Sequence, residues 1–189
     1  MTDPWRHAVG FDDAPFERDR DAPVLLVGAV YAGTRLDGVI STCAQPDGDD
    51  ATAAIAHCVN ASRHATGLRV IFLQGIAVGG FNVIDLPGLA AATGKAVIAV
   101  ARRRPRYLAI ARALHRRVPG GAGKWQRLRS AGLMQPVAGV WVQAAGLEDP
   151  RVLPGLISSH QRYSRVPEPL RAAHLIAGGV VSGESRARV

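Results

Sequence analysis

Lysines, cysteines and long apolar runs are scarce in this sequence, and these scarcities exclude some classes of protein. Lys95 and Lys124 are the only lysines, and Cys43 and Cys58 are the only cysteines. Two cysteines so far apart, without a CxxC motif or a paired histidine, argue against a structural zinc site and favour buried, reduced thiols. No stretch approaches the roughly 20 apolar residues that span a bilayer, so we expect no membrane-spanning segment.

The length and the start of the chain set two further expectations. The 189 residues are enough to bury a sizeable core, and we take residues 1–189 as a single domain. The segment 1–10 lacks the basic start and apolar centre of a secretory signal, which predicts a cytoplasmic protein.

Acidic residues are missing from the middle of the chain. Ten of the fifteen lie at or before Asp50, and none lies between Asp85 and Glu148, an interval that holds eleven basic residues. The whole chain has a net charge of +8. A basic region of this size attracts phosphate backbones by Coulomb attraction and counterion release, which predicts nucleic acid as the partner. The alternative is a solvated basic face without a partner.

The order of the predicted elements indicates a mixed α/β sheet. Three β-rich segments come first, at 7–11, 24–31 and 36–42. Helical and strand patterns then alternate: helices at 51–62 and 87–93, strands at 69–73 and 96–101, helices from 105 and at 125–131, and a strand near 137–145. A meander followed by β-α-β units predicts an RNase H-like fold with helices on both faces of the sheet. A Rossmann fold is disfavoured because no GxGxxG motif follows the first strand.

Two acidic pairs are candidates for a metal site. Asp12 and Asp13 end the first predicted strand, where carboxylate oxygens can bind a hard cation such as Mg²⁺ or Mn²⁺. Alternatively, one of them bonds backbone amides in a strand-end turn. Asp49 and Asp50 form the second pair, but they precede Thr52 at a predicted helix start, and an N-cap is the stronger interpretation there.

Two loops that follow buried strands contain the candidates for nucleic-acid contact. The first contains Gly79, Gly80 and Asn82, and its glycines allow the backbone to approach a ligand closely. The second is the segment 102–104, in which Arg102, Arg103 and Arg104 can neutralise phosphate at the same edge of the sheet. An ordinary β–α turn and a solvated loop are the respective alternatives.

The C-terminal helical region supplies two more candidates for the site. Glu168 lies between two prolines at a predicted helix start, and His174 follows it on the same helix, so both can face a site. Alternatively, Glu168 only favours the helix N-terminus, and His174 is a half-buried histidine with satisfied hydrogen bonds, which is the stronger interpretation for His174. No GxSxG, HExxH or Walker motif is present.

Several segments taken together resemble the endonuclease dU family, which is related to endonuclease V. The resemblance spans nearly the whole chain. The matching segments are GFDDAPF at 10–16, LDGV at 36–39, DGDDAT at 47–52, GGFNVID at 79–85, RVPEPLR at 165–171 and AHLIA at 173–177. The resemblance implies an RNase H-like fold and a metal-dependent nuclease acting on deaminated or damaged nucleic acid.

The resemblance to endonuclease V also implies roles for individual residues. Asp12 is similar to the first-strand metal carboxylate of that family, and Arg102 falls where that family has a lysine. Gln74 is a departure, because it stands where an acidic ligand is expected and offers a carbonyl oxygen without a charge. A further glutamate of the endonuclease V site has no clear counterpart, and Asp47, Asp49 and Asp50 are the candidates to replace it.

Three functions are compatible with these residues. The first is a Mg²⁺- or Mn²⁺-dependent endonuclease in which Asp12 and Asp13 bind metal and water attacks phosphorus. The second is a nucleic-acid-binding or regulatory protein that keeps the basic face and has lost hydrolysis through Gln74. The third is a protein with a small-molecule site in the loop 79–82.

Overall fold

A seven-stranded sheet forms the centre of the computed structural model, which describes residues 4–17 and 22–185. The first three residues of the segment tested for a secretory signal lie outside the described residues. The strands of the sheet are β1 (His7–Asp13), β2 (Val24–Ala32), β3 (Arg35–Ala44), β4 (Val70–Gln74), β7 (Ala96–Ala101), β8 (Gln135–Val137) and β9 (Val140–Ala145). A separate hairpin consists of β5 (Ala77–Val78) and β6 (Asn82–Val83).

The order of the strands confirms the predicted RNase H-like sheet. Across the sheet the order is β3-β2-β1-β4-β7-β9-β8, in which β1, β2 and β3 form an antiparallel meander. β4 pairs in parallel with both β1 and β7. Parallel neighbours require a crossover connection, and helices supply it on the way to β4 and to β7.

The last predicted strand is a hairpin rather than one continuous strand. Ala138 and Gly139 separate β8 from β9, and both have positive φ, at 48° and 81°. β9 then runs antiparallel to β7, so the parallel part of the sheet ends at β7. The β5–β6 hairpin was not predicted either, because strands of two residues are too short to show a periodic pattern.

Helices cover both faces of the sheet, as the sequence predicted. They are α1 (Ala51–Ala61), α2 (Leu86–Thr93), α3 (Tyr107–Arg117), α4 (Gly121–Ser130), α5 (Leu153–His160) and α6 (Glu168–Ser182). Ile55 of α1 and Leu89 of α2 are buried in the core on one face. Leu156 of α5 and Leu170 of α6 are buried in the core on the other face.

A close contact between α6 and β1 positions the candidate site. Phe11 packs in the α1–α2 core, so its neighbours Gly10 and Asp12 face the opposite side of the sheet, which α6 covers. A Cβ atom on Gly10 would lie 2.4 Å from the carbonyl carbon of Pro169. Glycine is therefore required where the start of α6 crosses β1.

Predictions drawn from composition have mixed outcomes. Both cysteines are free, but Cys43 is exposed on the edge strand β3 and Cys58 is only half-buried, so the prediction of two buried thiols is wrong. On α3, Leu114 is buried while Arg112 and Arg116 are exposed. In the described part of the chain, no helix has the length and apolar character needed to cross a membrane.

Candidate functional site

Asp12 and Gln74 lie beside each other at the carboxyl ends of two parallel strands. Phe11 of β1 is in register with Leu73 of β4, so the next residue of each strand is Asp12 and Gln74. Neighbouring strands lie about 4.8 Å apart. Since Phe11 and Leu73 both pack in the α1–α2 core, the alternation of side chains directs Asp12 and Gln74 toward the face covered by α6.

His174 of α6 contacts Asp12 directly. Its Nδ1 atom lies 2.8 Å from Oδ2 of Asp12, while Oδ1 of Asp12 accepts a hydrogen bond from the backbone N–H of Asp13 at 3.0 Å. Asp12 is only 3% exposed. Burial, and then the charge of Asp13, raise the pKa of Asp12 to about 7, although His174 acts to lower it. The carboxyl group therefore gains or loses its proton near neutral pH.

Gln74 carries a buried oxygen that lacks a hydrogen-bond partner among the described residues. This atom is Oε1, and the side chain lines the same cleft as Asp12 and His174. Leaving a buried carbonyl oxygen unpaired costs about 1–3 kcal/mol, so the atom is suited to a ligand that accepts its lone pair. Mg²⁺ and Mn²⁺ prefer oxygen ligands, and in that respect Asp12 and Gln74 fit such an ion. Among the described residues, no three His, Cys, Asp or Glu side chains form a metal-binding group.

A cleft of about 970 Å³ opens over Asp12, His174 and Gln74. One wall is the segment 12–16, in which Ala14 and Phe16 present apolar surface, and the other is the C-terminal half of α6. Sites for small ligands occupy about 300–1,000 Å³. The cleft is therefore large enough for a nucleotide placed next to the Asp12 carboxyl group.

Asp13 lines the cleft, and its carboxylate is bonded to a neighbouring loop. Oδ2 accepts a hydrogen bond from the backbone N–H of Gly79 at 2.9 Å. The carbonyl of Gly79 accepts in turn from the N–H of Asp47, whose side chain accepts from the N–H of Phe81. The backbone of this loop therefore supports Asp13. Gly79 is buried, so its predicted contact with nucleic acid is wrong, whereas the contact of Gly80, which is partly exposed but does not line the cleft, stays a prediction.

The arginines of the segment 102–104 follow β7 at the same edge of the sheet. Arg102 and Arg103 line a second cavity that shares Gln74 with the cleft. Arg104 is directed elsewhere, with its guanidinium group 5.6 Å from the centre of the Trp141 ring. The structure thus places two of the three arginines beside the candidate site.

The sequence model of the endonuclease dU family matches residues 5–181. This chain belongs to that family. A UPF0215 protein of Deinococcus radiodurans is 50% identical over 179 residues, a match that covers 95% of this chain and 91% of the relative. Another UPF0215 protein, from Methanothermobacter thermautotrophicus, is 44% identical over 182 residues, a match that covers 94% of this chain and 89% of the relative.

Solved structures show the fold of this endonuclease dU family member independently. A crystal structure of an Archaeoglobus fulgidus protein matches with a TM-score of 0.85 at 28% identity and covers 93% of this chain and 98% of that chain. Endonuclease V of Bacillus subtilis matches with a TM-score of 0.61 at 14% identity, and the match covers 94% of this chain and 81% of that chain. Endonuclease V of Ciona intestinalis matches with a TM-score of 0.56 at 12% identity, and the match covers 89% of this chain and 82% of that chain. That structure is a complex with a 24mer DNA containing an inosine followed by a ribo-adenosine.

Asp49 and Asp50 do not reach the cleft of this endonuclease dU family member, which corrects their predicted metal role. Asp49 forms an ion pair with Arg127, whose Nη1 atom lies 2.5 Å from Oδ1, and this partner lowers the pKa of Asp49. Asp50 occupies the N-cap position of α1, but its side chain makes no capping bond and accepts instead from Gln45 and Asn82. Both carboxylates fix the loop before α1.

Asn82 and Glu168 also differ from their predicted roles. Asn82 is fully buried, donates to the carbonyl of Gln45 and accepts from the N–H of Ala51, so it cannot contact nucleic acid. Glu168 is buried at the start of α6 and accepts two hydrogen bonds from Arg171, at 2.6 and 2.8 Å. It does not line the cleft, because it lies six positions before His174 and the helical period of about 3.6 residues turns its side chain to a different face.

Lys124 is a structural residue that the sequence analysis did not single out. It is 1% exposed, and its ammonium group donates to the carbonyl oxygens of Asp47 and Gly48. The buried ammonium thereby joins α4 to the loop whose Asp47 supports Gly79. The sequence offered one signal for this role. Between Lys95 and Glu148, Lys124 is a lysine, whereas all the other positively charged residues are arginines.

Proposed function

We propose that this protein is a divalent-metal-dependent endonuclease that hydrolyses phosphodiester bonds in deaminated or damaged nucleic acid. The observation that carries the proposal is that Asp12, His174 and the unpartnered Oε1 of Gln74 line the same cleft. Membership of the endonuclease dU family supports a nuclease, and the DNA bound to Ciona intestinalis endonuclease V supports a nucleic-acid ligand on this fold.

The residues of the cleft would have different roles in such a reaction. Asp12 and Gln74 would hold the cation, which when bound stabilises negative charge on the phosphoryl group and acidifies water. With Nδ1 of His174 bonded to Asp12, Nε2 is the ring nitrogen left to exchange a proton with a ligand in the cleft. The Gly79 N–H holds Asp13, which keeps a second negative charge at the rim.

A second candidate function is nucleic-acid binding without hydrolysis. Gln74 is the observation that favours it, because an amide supplies an oxygen to a cation but none of the charge that a carboxylate supplies. Asp12 would then be the single charged ligand at the centre, and the occupancy of Mg²⁺ there would be low.

Cleavage of short labelled strands tests the proposal. Uracil-containing, inosine-containing and undamaged strands are incubated with Mg²⁺ or Mn²⁺ and the wild type, Asp12→Asn or His174→Gln. We expect metal-dependent cleavage of a damaged strand by the wild type and its loss in both variants. Asp37→Asn is the matched control, because it removes a carboxylate from β3, where the partners are Arg35 and His64, and it should cleave like the wild type.

Two results would separate the candidates. Cleavage that survives Asp12→Asn would contradict the metal assignment. Absence of cleavage in every variant, together with intact binding of the same strands, would support the binding protein over the nuclease.

A further inference from the structure

A groove leads from the cleft along the edge of the sheet. Gln74 lines both the cleft and the second cavity, which measures about 420 Å³ and also contains Arg102 and Arg103. Arg102 in turn lines a third cavity of about 250 Å³, together with Ser164 and Arg165. The shared residues make the three cavities neighbours, and we call the surface from Gln74 through Arg102 to Arg165 the groove.

Arg102 and Arg165 line the third cavity from two separate segments. Arg102 follows β7, whereas Arg165 belongs to the connection between α5 and α6. The side-chain amide of Gln161 donates to the carbonyl of Arg165 and to that of Ala138 in the β8–β9 turn, at 2.5 and 2.9 Å. These bonds fix the backbone at Arg165 while its side chain stays exposed.

The arginines of this groove form no ion pair with the acidic side chains that the structure describes. In the described part of the chain, four arginines elsewhere on the surface pair with acidic side chains, namely Arg35, Arg127, Arg151 and Arg171. Within residues 4–17 and 22–185, no such ion pair involves Arg102, Arg103 or Arg165. Guanidinium groups bind phosphate through two parallel hydrogen bonds, so this groove suits a phosphate backbone.

We propose that Arg102 and Arg165 together bind a backbone phosphate of the nucleic-acid strand that leaves the cleft past Gln74. The inference rests on the proposed function in taking nucleic acid as the ligand, and it adds the direction of the strand and a second, separate contact. The third cavity has room for one sugar–phosphate segment, so the occupant of the groove is a single strand. Arg103, in the second cavity, lies between the two ends of the groove.

Binding of an undamaged, labelled single-stranded DNA oligonucleotide in EDTA tests the inference without any requirement for cleavage. The variants are Arg102→Gln and Arg165→Gln, and the matched control is Arg116→Gln, which removes an exposed arginine from α3, outside the groove. At low salt we expect each groove variant to bind roughly tenfold more weakly, and the control to change by less than about twofold.

The salt dependence distinguishes a lost phosphate contact from a general loss of charge. Because the two arginines share one phosphate, each groove variant should lower the slope of log affinity against log salt concentration by up to about 0.7, the value for one phosphate contact with a single strand. Arg165→Lys keeps the charge and loses the paired geometry, so its affinity should lie between the wild type and Arg165→Gln. Thermal unfolding of each variant checks that the fold is retained.

Three outcomes bear on the inference. If Arg165→Gln binds the strand as tightly as Arg116→Gln, the groove assignment is overturned, whatever the cleavage assay shows. If the groove variants lose binding while no variant cleaves, the groove stands and the nuclease proposal fails. If inorganic phosphate binds in an Arg165-dependent way and the oligonucleotide does not, the groove is a small-anion site and the inference is wrong.

Discussion

Nδ1 of His174 lies 2.8 Å from Oδ2 of Asp12, although 162 positions separate the two residues in the chain. β1 carries the carboxyl group to the edge of the sheet, and α6 crosses it at Gly10, where any larger residue would collide with Pro169. The pair therefore depends on the close packing of the last helix on the first strand.

Replacing Asp12 by asparagine should change the pH dependence of stability. Burial raises the pKa of Asp12 from 3.8 to about 7, so the folded protein retains a proton that the unfolded chain releases. The retained proton contributes fully to the free energy of unfolding below the pKa of the unfolded chain, and this contribution is lost as the pH rises toward 7. In EDTA, the free energy of unfolding should fall across this range by up to about 1.4 kcal/mol per pH unit in the wild type and less steeply in Asp12→Asn.

Urea unfolding at a series of pH values measures this difference. Asp37→Asn is again the control, since Asp37 is not buried and its loss should leave the wild-type slope in place. Parallel curves for the wild type and Asp12→Asn would show that Asp12 has an ordinary pKa in the folded protein.

Gln74→Asp should increase the affinity for Mn²⁺. The shorter carboxylate restores a charge beside Asp12, and a second negative ligand should tighten binding by about tenfold or more. Titration calorimetry measures the change, and the double variant with Asp12→Asn should lose the gain. Gln126→Asp adds the same charge to the exposed face of α4 as a control, and an equal gain there would show only a nonspecific charge effect.

Gly10→Ala should destabilise the protein strongly. The new methyl group would lie 2.4 Å from the carbonyl carbon of Pro169, and such overpacking costs about 1–3 kcal/mol or more. Gly123→Ala is the control, because no atom lies within 4 Å of its Cβ position on α4, and the variant should be more stable by roughly 0.5–1 kcal/mol. Denaturant midpoints provide the comparison, and equal midpoints would contradict the close packing of α6 on β1.

Lys124→Met should destabilise the loop that supports Asp13. The variant leaves the carbonyl oxygens of Asp47 and Gly48 without their donor, at an expected cost of about 2–3 kcal/mol. Lys95→Met is the natural control, since it replaces the other lysine, which is only partly buried. Hydrogen exchange at the amides of Gly79 and Phe81 should accelerate in Lys124→Met alone, and unchanged exchange there would show that the loop does not depend on α4.

Much of the fold followed from local patterns. The strand at 96–101 and the meander were predictable because alternation and apolar runs report which faces of a strand are buried. The β8–β9 hairpin was missed because the turn at Ala138 and Gly139 interrupts a segment that looks continuous by hydrophobicity. Asp12 and His174 are both candidates from the sequence, but only the packing of α6 on β1 brings the half-buried His174 into contact with Asp12.

The sequence by itself determined the family, the order of the elements and the acidic end of β1, because these depend on residues close together in the chain. Only the tertiary structure decided which carboxylates share the cleft. Asp12 and Asp50 both stand next to a second aspartate at the boundary of an element, so their local signals are alike. Long-range hydrogen bonds separate them: His174 contacts Asp12 in the cleft, whereas Asn82 holds Asp50 in a loop outside it.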